Sequence, residues 1–130
     1  MKKDFDSWNT EKKILDEKSE KIFYHEREIW WCSLGLNVGY EQDGTGKRYD
    51  RPVIIVWGFS PQSCIVVPLT GCKKEGKYYF YLGAVEERDA TAILSQIKNI
   101  DTRRLLKKIG MVPEKQFLEL TEKLQGLLFP

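Results

Sequence analysis

The chain has 130 residues, 42% hydrophobic and 31% charged, which suits one globular domain with a core of ordinary size. Its formal net charge of +2 is too small to indicate nucleic-acid binding by itself; only a local clustering of Lys and Arg would do that. No apolar run is long enough to span a bilayer, and the charged start MKKDFDSWNTEKK lacks the apolar segment of a signal peptide, so the cytoplasm is the expected compartment and no membrane contact is expected.

The first 27 residues read as a separate element. A helical pattern runs from Ser7 or Thr10 to about Tyr24, with Ile14, Leu15 and Ile22 on one side and Lys and Glu of mixed sign elsewhere. Such a narrow apolar stripe fits a packed amphipathic helix or a partner-binding arm. Glu28–Ser33, rich in aromatic and β-branched residues, predicts the first strand.

A polar, glycine-punctuated loop then begins at Gly39 and leads to Arg51-Pro52, an extended entry because the residue before proline avoids the helical region. Two apolar runs follow, Val53–Trp57 and Ile65–Leu69, joined by a turn at Phe59–Ser63. Paired as a hairpin, they bring Arg51 at the mouth of the first beside Thr70 at the exit of the second, with the Glu41–Arg48 loop overhead. Convergent polar groups at a rigid sheet edge are a common way to build a site.

Gly71–Gly76 is a turn, Lys77–Leu82 a fourth strand, and Gly83 with Glu86–Asp89 another turn. Ala92–Ile97 is ambiguous between strand and helix. Thr102–Lys108 reads as a short helix capped by Asp101 or Thr102, and Ile109–Val112 as a closing strand. Pro113 suits the first turn of a last helix whose apolar face is Phe117, Leu120, Leu124, Leu127 and Leu128. Many short strands with a few helices predict a mainly β fold with appended helices (α+β), a compact small barrel. Trp30, Trp31 and Trp57 are expected in the core or at a dimer interface, and Tyr78–Tyr81 in the barrel wall.

The three cysteines include no C-x-x-C pair, and His25 is the only histidine, so neither a disulfide framework nor a zinc site is expected. Cys32 and Cys64 lie in strand-like runs and read as small core residues; Cys72, after the Thr70-Gly71 corner, reads as more exposed.

Five segments in order resemble the MazF/PemK family of toxin ribonucleases from toxin–antitoxin systems. They are Arg27–Trp31, Gly39-Tyr40-Glu41-Gln42, Arg51–Val56, Val66–Thr70, and Gln96–Asp101 followed by Arg104-Leu105 and Ile109-Gly110. The resemblance implies an SH3-like barrel with a C-terminal helix over residues 27–130, and residues 1–26 fall outside it as an added N-terminal helical extension. It also implies a homodimer, metal- and cofactor-independent cleavage of single-stranded RNA at short sequences, a cognate antitoxin as partner, and operator DNA contacted only through the antitoxin complex.

The residue chemistry suits that reaction. Cleaving RNA with its own 2′-hydroxyl needs a base for that hydroxyl, an acid for the leaving 5′-oxygen, and positive charge on the phosphorane. Arg51 is a permanent cation whose fork matches phosphate oxygens, and is a poor base for the same reason. Thr70 is placed to hydrogen-bond a phosphoryl oxygen, and Glu41 is the candidate general base. Gln42 and Gln96 are candidates for base-edge or 2′-hydroxyl contacts, Lys47 and Arg48 for phosphates.

Two features depart from the family pattern. Asp43–Asp50 intervenes where compact members have a short link, and the PemK-branch acid–base set is missing, with Tyr40 and Leu94/Ser95 in its places. A MazF-like Arg/Thr arrangement therefore fits better, and His25 reads as a linker residue. Two other readings stand beside the toxin: a non-catalytic SH3-like module binding RNA or protein, and a decayed or self-inhibited homologue whose groove is covered by residues 1–27.

Overall fold

The computed structural model of the chain describes residues 22–34 and 50–130. Seven strands, β1 Glu28–Ser33, β2 Asp50–Gly58, β3 Ser63–Thr70, β4 Tyr79–Val85, β5 Arg88–Ile93, β6 Lys98–Asp101 and β7 Leu105–Met111, precede one helix, α1 Glu114–Leu128. The pairings are antiparallel, in the order β4-β5-β3-β2-β1-β7. β3 is the hub: along its free edge β6 pairs with Ser63–Val66 and β5 with Leu69 and Thr70. One sheet bordered in two directions from a single strand must curl, which produces the half-barrel.

Side chains alternate between two cores. Ile54, Val67, Leu69, Ala92 and Leu94 face the first, where Phe117, Leu120, Leu124 and Leu127 of α1 seal the sheet. Cys32, Val53, Ile55, Cys64, Val66, Ile100 and Leu105 face the second. Because β2 and β3 are buried on both faces, they read in the sequence as continuous apolar runs rather than as alternation.

Several expectations hold. β1 has the predicted bounds, β2 and β3 form the predicted hairpin, Cys32 and Cys64 are buried, and Cys72 is exposed. The helix from Ser7 or Thr10 lies outside the described residues except for its expected end. Ile22–Tyr24 are not helical there: the Tyr24 hydroxyl donates to the Ser60 and Ser63 carbonyls, drawing this segment along the barrel.

Other expectations are corrected. The fourth strand begins at Tyr79, because Lys77 and Tyr78 form a turn that presents the Tyr78 carbonyl to the Leu94 N–H at 2.8 Å. The second expected turn contracts to Glu86-Glu87, and Arg88 and Asp89 open β5. Ala92–Ile97 divides into the end of β5 and a 3₁₀ turn at Leu94–Gln96. The expected Thr102–Lys108 helix is a single 3₁₀ turn, Thr102–Arg104, whose cap is Asp101 as expected, accepting from the Arg103 N–H at 2.9 Å. From Leu105 the chain is strand, since pairing against Trp30 and Trp31 outweighs the helix propensity of Leu and Lys. Pro113 sits just before α1 as its cap residue, and Leu128 is exposed rather than on the packed face.

Candidate functional site

The β2–β3 register places the two central residues. Val53 lies opposite Pro68, and two residues further along the same ladder Arg51 comes beside Thr70. On its other side Arg51 is opposite Cys32 of β1, and Thr70 is opposite Thr91 of β5, itself opposite Tyr81 of β4. Cys32, Arg51, Thr70, Thr91 and Tyr81 thus form one row across five strands.

Arg51 is only 9% exposed. Burying a guanidinium is costly unless its donors are satisfied, and its Nη1 donates to the Leu69 carbonyl at 3.1 Å. That bond ties the head to β3 one residue before Thr70, so the cation is preorganised at the strand end. Arg51 and half-buried Thr70 share a cavity of about 700 Å³ with Trp31, Ile109, the β4–β5 turn Glu86-Glu87 and the first residues of β5, Arg88 and Asp89. The turn is a two-residue hairpin with positive φ at both Glu86 (50°) and Glu87 (65°), the type I′ geometry that normally selects Asn-Gly. A fixed cation and a hydroxyl beneath an acidic rim can receive an oxyanion while accepting hydrogen bonds from the donors of the same ligand.

Of the predicted site residues, Arg51 and Thr70 come together. Gln96 is half-buried on the 3₁₀ turn after β5 and does not line their cavity. Glu41, Gln42, Lys47 and Arg48 lie outside the described residues. Sequence reasoning missed Trp31, the Glu86-Glu87 turn and the start of β5 as cavity walls. The turn approaches from the far side of β3, and Glu-Glu in place of Asn-Gly conceals a tight hairpin.

Ile22–Glu26 pack at the other end of the hairpin, against Gly58–Pro61. There Trp57 is exposed rather than in the core: a bulge between Ile55 and Trp57 turns it outward, edge-on to Phe59 at 5.3 Å. His25 serves Glu28, not the cavity: its backbone N–H donates to Glu28 Oε1 at 2.9 Å. Glu28 also accepts from Trp30 Nε1 at 2.9 Å and pairs with Lys108 Nζ at 3.1 Å. Burial pushes its carboxyl upward, but these partners together outweigh burial and hold it below the usual carboxylate range. Burial raises the Cys32 thiol to about 12 and the Cys64 thiol to about 11.

The fold and site define a small antiparallel barrel with a C-terminal helix and an arginine–threonine pair at its β2–β3 edge. Residues 25–128 match the family described as PemK-like, MazF-like toxin of type II toxin-antitoxin system, and the chain belongs to that family. No curated protein sequence matches it significantly. Among solved structures, it is similar to MazF of Deinococcus radiodurans (TM-score 0.67, 20% identity, covering 82% of this chain and 97% of that one). It is also similar to an endoribonuclease in complex with its cognate antitoxin from a mycobacterial species (TM-score 0.62, 16% identity, 83% and 98%). A third is the Mycobacterium tuberculosis toxin MazF-mt6 (TM-score 0.62, 17% identity, 78% and 96%). At these identities the likeness is one of fold. Among the described residues, no helix is long and apolar enough to cross a membrane.

Proposed function

We propose that this toxin is an endoribonuclease that cleaves single-stranded RNA without a metal, works as a homodimer, and is neutralised by a cognate antitoxin protein. The observation that carries the reading is Arg51 and Thr70 in one cavity, with the guanidinium tied to the backbone beside Thr70. The 2′-oxygen attacks the adjacent phosphorus and the bond to the 5′-oxygen breaks, leaving a 2′,3′-cyclic phosphate and a 5′-hydroxyl. Arg51 stabilises the charge that builds on the phosphorane, and Thr70 orients a phosphoryl oxygen. Glu41 takes the 2′-hydroxyl proton, and solvent water protonates the leaving 5′-oxygen, the proton held by Glu41 returning to solvent. Lys47 and Arg48 hold phosphates around the scissile bond, Gln42 contacts a base edge or the 2′-hydroxyl, and Gln96, away from the cavity, reads a base edge.

The test is incubation of the pure protein with mixed RNA in a chelator, followed by mapping of the cut ends. Cyclic phosphate ends are expected, with cleavage reduced about 10²–10³-fold by Arg51→Ala. Thr70→Ala is expected to cost about 10–150-fold, the worth of one hydrogen bond to a charged oxygen. Undiminished cleavage by both variants, with far-UV spectra unchanged, would remove these residues from the mechanism.

A further inference from the structure

The segment immediately after Thr70 has a chemistry that cleavage at Arg51 does not use. Gly71–Leu82 carries three lysines and one glutamate, the local clustering that the chain's overall charge hides. Each lysine rests on a tyrosine ring: Lys73 Nζ is 5.0 Å from the Tyr81 centroid, Lys74 Nζ 5.4 Å from Tyr79, and Lys77 Nζ 5.5 Å from Tyr78. Among the described residues none of the three is within ion-pair distance of a carboxylate. These cations lie over aromatic faces without a direct ion pair among the described residues, and the acidic group in contact with the cluster is Asp89, on the Tyr81 hydroxyl. Tyr79–Tyr81 lie in the barrel wall as expected, with Phe80 packed on the first core and Tyr79 and Tyr81 half-buried, whereas Tyr78 precedes the strand and is 48% exposed.

The loop is anchored rather than loose. Fully buried Thr91 donates to the Cys72 carbonyl at 2.7 Å and accepts from the Lys74 N–H at 3.2 Å, clamping the loop over β5. From α1, Lys123 Nζ donates to the Gly76 and Tyr79 carbonyls at 2.8 and 2.6 Å. Tyr81 donates to Asp89 Oδ1 at 2.7 Å, which fixes its hydroxyl. Tyr81 also stands in the row that contains Thr70, two strands away, or about 10 Å at about 4.8 Å per strand.

We propose that Lys73, Lys74, Tyr79 and Tyr81 form a second RNA subsite beside the Arg51–Thr70 cavity, whose lining residue Asp89 holds Tyr81, for a nucleotide flanking the cut. The assignment rests on the endoribonuclease reading. A base stacks on Tyr81 while Lys73, displaced from the ring, takes the adjoining phosphate, the combination of aromatic platform and cation by which single strands are held without hydrogen-bond readout. Lys74 and Tyr79 repeat the pair one step along. An acidic polypeptide would need the charges but not the aromatic faces, and the pairing of every lysine with a ring favours a nucleic acid.

The test is binding of a labelled mixed-sequence 2′-O-methyl RNA, which lacks the attacking hydroxyl, titrated across salt concentrations. Tyr81→Leu is expected to weaken binding about tenfold, within the range for loss of one stacked base. Tyr81→Phe keeps the ring, loses only the Asp89 bond, and is expected to bind as the parent does. Lys73→Gln/Lys74→Gln is expected to lower the slope of log K against log salt by about 1.4, two phosphate contacts on a single strand. Parental affinity for Tyr81→Leu, or an unchanged slope for the double variant, would overturn the subsite. So would variants that keep RNA binding but lose affinity for poly-glutamate, which would assign the surface to an acidic protein. If the parent cuts no natural RNA yet Tyr81→Leu loses binding, the cleavage reading fails and the subsite stands.

Discussion

Tyr24 lies across Gly58. A Cβ built on Gly58 would stand 2.5 Å from the Tyr24 ring, whose hydroxyl donates to the Ser60 carbonyl and, at 3.1 Å, to that of Ser63. Gly58→Ala must push the ring out and break both bonds. Overpacking of this kind typically costs about 1–3 kcal/mol, and Tyr24→Phe, which loses the hydroxyl alone, about 1 kcal/mol or somewhat more. Urea unfolding of both variants measures this, and a parental midpoint for Gly58→Ala would show that the wedge does not stabilise the barrel.

Glu28 makes stability depend on acid. Its folded-state carboxyl lies below the ordinary value of 4.5, so its stabilisation is fully present above that pH and is lost as pH falls through the lower folded value. Glu28→Gln keeps an acceptor for Trp30 and loses the charge facing Lys108. The variant is expected to be about 1–2 kcal/mol less stable at neutral pH. The gap should close below pH 4.5, as followed by chemical denaturation at a series of pH values. A gap that widens in acid would contradict the assignment.

Thiol reactivity should separate Cys72 from the others. Cys32 and Cys64 are fully buried, with thiols raised to about 12 and about 11, whereas Cys72 is exposed. Ellman's reagent at neutral pH is expected to titrate one thiol in the folded protein and all three in denaturant. Rapid modification of two or more in the native state would mean that the second core opens readily.

The Glu86-Glu87 turn holds two non-glycine residues at positive φ, each of which costs of order 1 kcal/mol. Replacing the pair by Asn-Gly is expected to raise stability by about 1–2 kcal/mol. It also strips two carboxylates from the rim of the Arg51 cavity, so RNA is expected to bind more tightly at low salt, with the gain vanishing at high salt. Thermal unfolding and RNA titration measure the two effects separately.

How much was legible in the sequence depended on whether neighbours in space were also neighbours in pattern. The β2–β3 hairpin and the meeting of Arg51 with Thr70 followed from two apolar runs and one turn. Leu105–Lys108 misled because Leu and Lys favour helix, and only the ladder to β1 makes them strand. Lys77 and Tyr78 carry the composition of a strand but bend to meet Leu94. The walls of the cavity were not legible, since Trp31 comes beside Arg51 through the β1–β2 register, across the long segment that separates the two strands in the chain, and Glu86–Asp89 arrive from the far side of β3. The same holds for Tyr81, whose place in the row of Thr70 is set by β5, a strand that follows it in the chain.

That row draws one residue from each of five strands and none from the turns between them. Because side chains alternate along a strand, one residue added or lost within β2 or β3 would send Arg51 or Thr70 to the opposite face of the sheet. The same change in the Phe59–Gln62 turn or the Gly71–Tyr78 connection leaves both where they are. Insertions and deletions can therefore accumulate in the connections, where they alter what the site recognises, while strand lengths stay fixed by the chemistry. A library that varies connection lengths should retain folded, active members, and one that varies strand lengths by single residues should not.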